Sequence, residues 1–259
     1  MGRVRQVGSS LCLFAGVLSL AACASSVPPN RMADYVGSPP TEAAAPAPLP
    51  DASLPAGLVL IQDTTAPGAG PMLPDEALNR LAERLKQEIN QAIPVRIEKI
   101  LTAEGLKPGG DVNQFVELGK MQGLDYIVVA VASTVEQHYP IYVFLGWHSH
   151  QQPGFRLDNW SLLEVALVQV KTGRIVIRAE GRGMATLDSP TAPGVNQWYP
   201  VIWKRPANPD GRWWFPPTFE GAPNTLRVIA MDDAAQRLFV NLRVEWNAMR
   251  QAEYRALRS

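Results

Sequence analysis

The run Leu124-Asp125-Tyr126-Ile127-Val128-Val129-Ala130-Val131 constrains this chain more than any other stretch. Six consecutive apolar residues, several of them β-branched, do not alternate with polar ones, so a strand formed here has no face to offer to water. It must lie in the middle of a sheet. The segments around it supply the rest of a layered α+β domain.

Upstream, Gly57 to Gln62 is a second short apolar run bounded by Pro55 and by the Thr-Ala-Pro-Gly cluster that follows Asp63, and it reads as a buried strand. Asp75 is placed to cap a helix whose apolar positions Leu78, Leu81, Ala82, Leu85, Ile89 and Ile93 keep the helical period until Pro94. Its charged residues form a solvated face. Val95 to Leu101 alternates imperfectly and reads as a strand; Asp111 then opens a shorter helix through Val112, Phe115, Val116, Leu118 and Met121, closed by Gly123. Downstream, Leu162–Val170 and Arg174–Glu180 flank Lys171-Thr172-Gly173, which predicts a β-hairpin. A last helix is expected from Asp232-Asp233 nearly to the chain end, with Ala235, Leu238, Phe239, Leu242, Trp246 and Met249 in one stripe. The expectation is a mixed sheet of about four to five strands flanked by three helices.

Ahead of this domain the composition changes twice. Arg3 and Arg5 precede roughly ten mostly apolar residues ending at Leu20, too few to cross a bilayer as a permanent helix, which takes about 20. Leu20-Ala21-Ala22-Cys23 resembles a bacterial lipobox, and that resemblance implies removal of residues 1–22 as a signal peptide and a covalent lipid on Cys23. Residue 24 is Ala rather than Asp, which in the Gram-negative lipoproteins this resembles implies the outer membrane, with the domain facing the periplasm. Residues 23–56 are rich in Ala and Pro and read as a disordered, extended tether, leaving 57–259 as the single domain. The tether reads equally as reach toward a partner or as a passive linker.

Charge and cysteine content narrow the classes. The chain has 24 basic and 24 acidic residues, and loss of Arg3 and Arg5 leaves a mature chain two charges negative, which argues against a nucleic-acid surface. Cys12 leaves with the signal, so Cys23 is the one mature thiol and no internal disulfide can form.

Three stretches carry a family resemblance. Leu118-Gly119-Lys120-Met121-Gln122-Gly123-Leu124-Asp125-Tyr126-Ile127-Val128-Val129, then Leu162 to Val176 around its Thr-Gly turn, then Asp233-Ala234-Ala235 resemble the corresponding units of the CsgG-like envelope lipoproteins. That family includes the curli-secretion channel subunit and the lipoprotein activators of penicillin-binding proteins. The resemblance covers roughly residues 57 to 250. It implies a non-enzymatic periplasmic domain of the CsgG N-terminal type that binds a protein partner, in cell-wall synthesis or secretion, or that assembles with copies of itself.

Two aromatic-rich insertions stand apart: His138 to Trp160, and Trp198-Tyr199-Pro200-Val201-Ile202-Trp203 with Trp213-Trp214-Phe215-Pro216-Pro217. They hold six of the seven tryptophans, so Trp147, Trp198, Tyr199, Trp203, Trp213, Trp214 and Phe215 are the candidate partner-binding residues. A satellite core beneath loops explains them equally well. Membrane hairpins, which the channel subunit of the family uses, fit poorly because Pro200, Lys204, Arg205, Pro206, Pro216 and Pro217 break the alternation. His148 and His150, with His138 or Asp158, have metal-ligand spacing, but no cysteine or HExxH framework accompanies them, so no metal is assigned. A metal-dependent hydrolase is therefore the weakest reading. Gly181-Arg182-Gly183 lacks the Lys-Ser/Thr of a phosphate loop, and no Gly-x-Ser-x-Gly elbow is present. No catalytic residue is assigned; the Asp232-Asp233 pair reads as a helix start.

Overall fold

A computed structural model describes residues 27–38, 53–144, 151–191, 200–204, 213–214, 221–256 and 258. In chain order these form α1 (Met32–Val36), β1 (Leu54–Asp63), α2 (Asp75–Ala92), β2 (Val95–Leu101), α3 (Asn113–Gln122), β3 (Tyr126–Phe144), β4 (Gln151–Gln169), β5 (Ile175–Pro190), β6 (Val201–Lys204), β7 (Trp213–Trp214) and α4 (Ala222–Ala256). The architecture is α+β, with a mixed sheet in the order β2-β1-β3-β4-β5-β6-β7. β1 runs parallel to β2 and β3, and the pairs from β3 to β7 are antiparallel. The two short strands β6 and β7 extend the sheet beyond the strands expected from sequence.

Helices cover both faces, which is why β3 is apolar from Tyr126 to Ala132. On one face, Leu58 and Leu60 of β1, Val128 and Ala130 of β3, and Leu163, Val165 and Leu167 of β4 pack against α2 and α4. The alternate residues, Val59 and Ile61, Ile127, Val129 and Val131, and Ala166 and Val168, pack against α1 and α3. The helix α2 buries the expected stripe of Leu81, Ala82, Leu85 and Ile89. Gly123 closes α3, its amide donating to the carbonyls of Gly119 and Lys120. Gly173 takes φ 69° in the β4–β5 turn, a conformation an L-residue resists.

Three expectations need correction. The long final helix begins at Ala222, ten residues before Asp232. Pro223 sits in its first turn, where a missing amide costs nothing. Asp232 and Asp233 therefore lie inside the helix and form ion pairs instead, Asp232 with Arg84 of α2 at 3.1 Å and Asp233 with Lys204 of β6 at 3.3 Å. Asp75 is the first residue of α2 rather than its cap, a position held by Pro74. His138 to Trp160 is no separate insertion as far as it is described. β3 and β4 simply continue, pairing from Tyr126↔Gln169 to Phe144↔Gln151.

The Gly181-Arg182-Gly183 stretch has a packing purpose. α4 lies directly on β5, and a methyl group at Gly183 would run into the Ala230 carbonyl and the Ala234 amide; one at Gly181 would meet the Ala234 carbonyl and the Leu238 amide. These are backbone atoms and cannot swing aside. Overpacking of this kind costs about 1–3 kcal/mol or more. Gly183→Ala is expected to lower stability by at least that amount in urea denaturation, whereas Gly105→Ala, with open space around it, should cost only the smaller penalty of its positive φ.

Candidate functional site

The most elaborate polar site lies where sequence composition points to a spacer. Residues 27–38 form an arm that crosses the β4–β5 face, carrying the five-residue helix α1. This overturns the reading of 23–56 as an uninterrupted disordered tether: the arm and the first residues of β1, Leu54 to Ala56, are folded. A helix of this length has no stability of its own, since nucleation is unfavourable and the propagation gain is small. The body must supply it.

It does so first through packing. Met32, Tyr35 and Val36 are each at most 3 % exposed and join Val59, Ile61, Phe115, Val116, Val129 and Val131 in one cluster. Burial, with Asp63 nearby, pushes the Tyr35 hydroxyl up to about 12.

The second contribution is Glu164, a carboxylate in the middle of the apolar β4 run and only 4 % exposed. It shares a face with Glu180, its partner across β5. One oxygen of Glu164 accepts from the backbone amides of Arg31 (2.6 Å) and Met32 (3.1 Å), and the other from Asn30 Nδ2 (3.2 Å). The first amides of a helix have no partner within it, so Glu164 acts as a cap supplied by a distant strand. Burial raises the Glu164 carboxyl above its ordinary value against the pull of these donors.

Further groups fix the rest of the arm. Arg31 Nε donates to the buried Asp63 at 2.5 Å, its Nη2 to Thr65 Oγ1 at 2.8 Å, and its Nη1 lies 2.6 Å from Asp34. Burial pushes the Asp63 carboxyl up, but bonds from Thr65 and Arg31 outweigh it and hold Asp63 below the usual range. Arg182 donates to the Pro28 carbonyl (3.0 Å) and to Asn30 Oδ1 (2.6 Å), and Asn30 also bonds Glu180. At the far end, the Asp34, Tyr35 and Gly37 carbonyls accept from the Gly109 amide, Gln114 Nε2 and Arg178 Nη2 at 2.7, 2.9 and 2.7 Å. Burial lowers the Arg178 guanidinium from its ordinary value while Glu164 opposes the shift. Between the arm and α4 lies an open groove of about 500 Å³, lined by Asn30, Met32, Glu164, Arg178, Glu180 and Asn241 among others.

A second polar cluster surrounds the one candidate tryptophan whose side chain is described. Trp203 of β6 donates its indole N–H to Asp188 at 3.2 Å and lies beneath the Arg156 guanidinium, 5.0 Å from ring centroid to Cζ. Arg156 grips Asp188 in a fork at 2.6 and 2.8 Å, and that bond raises the Arg156 pKa. Beside it Asp158 accepts from Tyr139 (2.7 Å) and Thr186 (2.5 Å). Trp203 is partly buried and locked in place, a strand residue rather than a loose loop aromatic. Trp213 and Trp214 form β7, paired with Trp203 and Ile202 respectively. Cys23, Trp147, His148, His150, Trp198, Tyr199 and Phe215 lie outside the described residues.

The metal candidates that are described do not converge. His138 is opposite Leu157 and Asp158 opposite Gln137, which puts the two on different faces of the sheet. His138 instead packs on Phe155, ring centroids 4.9 Å apart. Among the described residues no group of three His, Cys, Asp or Glu is arranged to hold an ion.

Sequence reasoning passed over Glu164, Arg178, Asp63 and the whole arm. The available signal was Glu164 itself, since a lone carboxylate inside Leu-Leu-Glu-Val-Ala-Leu-Val demands a buried partner.

No family model and no curated protein matches this chain. Among solved structures it is similar to a PelC dodecamer subunit from Paraburkholderia phytofirmans (11 % identity, 59 % of this chain and 83 % of that one, TM-score 0.27). It is also similar to a putative neuraminyllactose-binding hemagglutinin homolog from Helicobacter pylori (10 %, 52 % and 64 %, 0.30) and to the hypothetical protein CT253 from Chlamydia trachomatis (13 %, 75 % and 96 %, 0.31).

The two carboxylates should respond oppositely to pH. The folded pKa of Asp63 is depressed, so its contribution is present above the unfolded value of about 3.9 and is lost as pH falls through the folded one. Asp63→Asn is expected to cost about 1.5–3 kcal/mol at pH 7 and progressively less in acid, read by urea denaturation at pH 7 and pH 3. Glu164 has a raised folded pKa, so its neutral form favours folding below about pH 4.3 and that advantage declines as pH rises through the folded value. Glu164→Gln should flatten that part of the profile, whereas Glu164→Leu should also expose residues 27–38 to hydrogen exchange.

Proposed function

We propose that this protein is a non-enzymatic lipoprotein of the outer membrane, held by a lipid on Cys23, whose CsgG-like domain binds a protein partner in the periplasm. The observation that carries the anchor is Leu20-Ala21-Ala22-Cys23 at the end of a short apolar run with Arg3 and Arg5 before it. The order β1, α2, β2, α3, β3, the β4–β5 hairpin and α4 agrees with the element order behind the CsgG-like reading and supports it.

The partner surface in this reading is the β6–β7 end of the sheet with its aromatic flanks. β7 pairs with β6 on one side, and tryptophans on a sheet edge combine backbone groups with large contact area. The machinery served is that of cell-wall synthesis or secretion. A second reading, an oligomeric export or assembly subunit, draws on the same geometry: β2 and β7 are the outer strands of the described sheet, and outer strands pair readily with another copy.

Cys23→Ala is expected to abolish acylation and move the protein from the membrane to the soluble fraction; retention in the membrane with no lipid on the chain would contradict the anchor. Crosslinking in cells should recover a protein partner that disappears when Trp213 and Trp214 are alanine. An unchanged partner set would count against the aromatic edge, and recovery of this chain alone would favour the oligomer.

A further inference from the structure

We propose that the arm 27–38 is a latch that sets how far the domain stands from its membrane, holding it close when docked and releasing it when undocked. The proposal rests on the lipid at Cys23.

The argument is one of chain length. Arg182 and Asn30 pin the arm at Pro28, five residues after Cys23. At about 3.3–3.6 Å per residue, five residues span at most about 18 Å. While the arm is docked, the chain is already fixed at Pro28 and Gly37 before it returns to the sheet at Leu54, so the later length adds nothing to the reach. If the arm leaves, the first fixed residue becomes Leu54, 31 residues after Cys23. A flexible chain of that length averages about 30 Å end to end and extends to roughly 100 Å. Two membrane distances are therefore built into one sequence, and a single docking event selects between them.

The contacts are those of a separable segment. Four buried apolar side chains, Pro28, Met32, Tyr35 and Val36, offset the ordering cost of a twelve-residue stretch. The polar bonds run mostly to side chains of the body: Glu164, Arg178, Glu180 and Arg182 from the hairpin, Asp63 at the end of β1, Thr65 just after it, and Gln114 from α3, with one backbone bond from Gly109. No strand of the sheet includes an arm residue, so the sheet does not depend on it for pairing. Departure takes the arm's donors from the Glu164 carboxylate and opens the apolar cluster that Met32, Tyr35 and Val36 share with the body, which makes undocking costly enough to be a discrete event.

The test uses the full lipidated chain in vesicles of phosphatidylethanolamine and phosphatidylglycerol carrying an acceptor dye in the headgroup layer, with a donor dye on Met121→Cys, an exposed position of α3. Two undocking variants are compared with the parent: Glu164→Lys in the body, and Met32→Asp with Tyr35→Asp in the arm, which leaves the sheet's own residues intact. Energy transfer to the membrane should fall at least twofold in the variants, while hydrogen exchange over 27–38 becomes fast and that over β3 stays slow. Unchanged transfer with a freely exchanging arm would overturn the latch and leave the anchor standing. Failure of the parent to associate with vesicles, or to carry a lipid, would overturn the anchor and the latch together.

Discussion

The pairing of β3 with β4 is the constraint on which everything else depends. It runs without a break over nineteen residues of each strand, and β3 is apolar on both faces from Tyr126 to Ala132. A ladder buried on two sides must be covered on two sides, which calls for α2 and α4 on one face and α1 and α3 on the other. β1 and β2 join its parallel side, and β5 with β6 and β7 its antiparallel side. The pleat then decides what each polar residue can reach. Alternate residues of β4 and β5 face the arm, so Glu164, Glu180, Arg178 and Arg182 meet on one side. Their neighbours at Gly181 and Gly183 let the backbone of α4 lie close on the other.

The same alternation explains why a carboxylate sits inside the core. Replacing Glu164 by an apolar residue would spare its desolvation, yet α1 would then begin on amides with nothing to accept them. The charge is retained because it selects one position and one direction for a segment that packing alone would hold loosely. Arg31 acts similarly, since its guanidinium is held at three points at once, by the buried Asp63 on Nε, Asp34 on Nη1 and Thr65 on Nη2. The arm is thereby part of the domain, and its fixed point at Pro28 comes five residues after Cys23 in the sequence.

The core was legible in the sequence wherever local pattern and tertiary role agree. The period of α2, the closing Gly123 of α3, the apolar run of β3 and the Thr-Gly turn of the β4–β5 hairpin each report their own environment. What stayed hidden depends on distant residues. α1 is short, lies among prolines at 28, 29, 39 and 40, and owes its order to Glu164, more than 130 residues away. The start of α4 was obscured by Asp232-Asp233, a pair that favours a helix N-terminus until Arg84 and Lys204 are seen beside it. The outer halves of β3 and β4 were concealed by Pro140, Pro153 and Gly154, which break a strand signal although pairing continues through them. Trp203 illustrates the limit for the candidate site: composition marks the residue, but only Arg156 and Asp188 reveal that it is held.

The central claim, that residues 27–38 belong to the folded domain, is tested most directly by a spin–spin distance measurement in the chain with Cys12 and Cys23 replaced by Ser. Labels at Ala33→Cys on the exposed side of α1 and Met121→Cys on α3 report the arm against the body. A docked arm predicts one narrow distance distribution that broadens when Glu164 is replaced by Lys. A distribution already broad in the parent, and indifferent to Glu164, would contradict it.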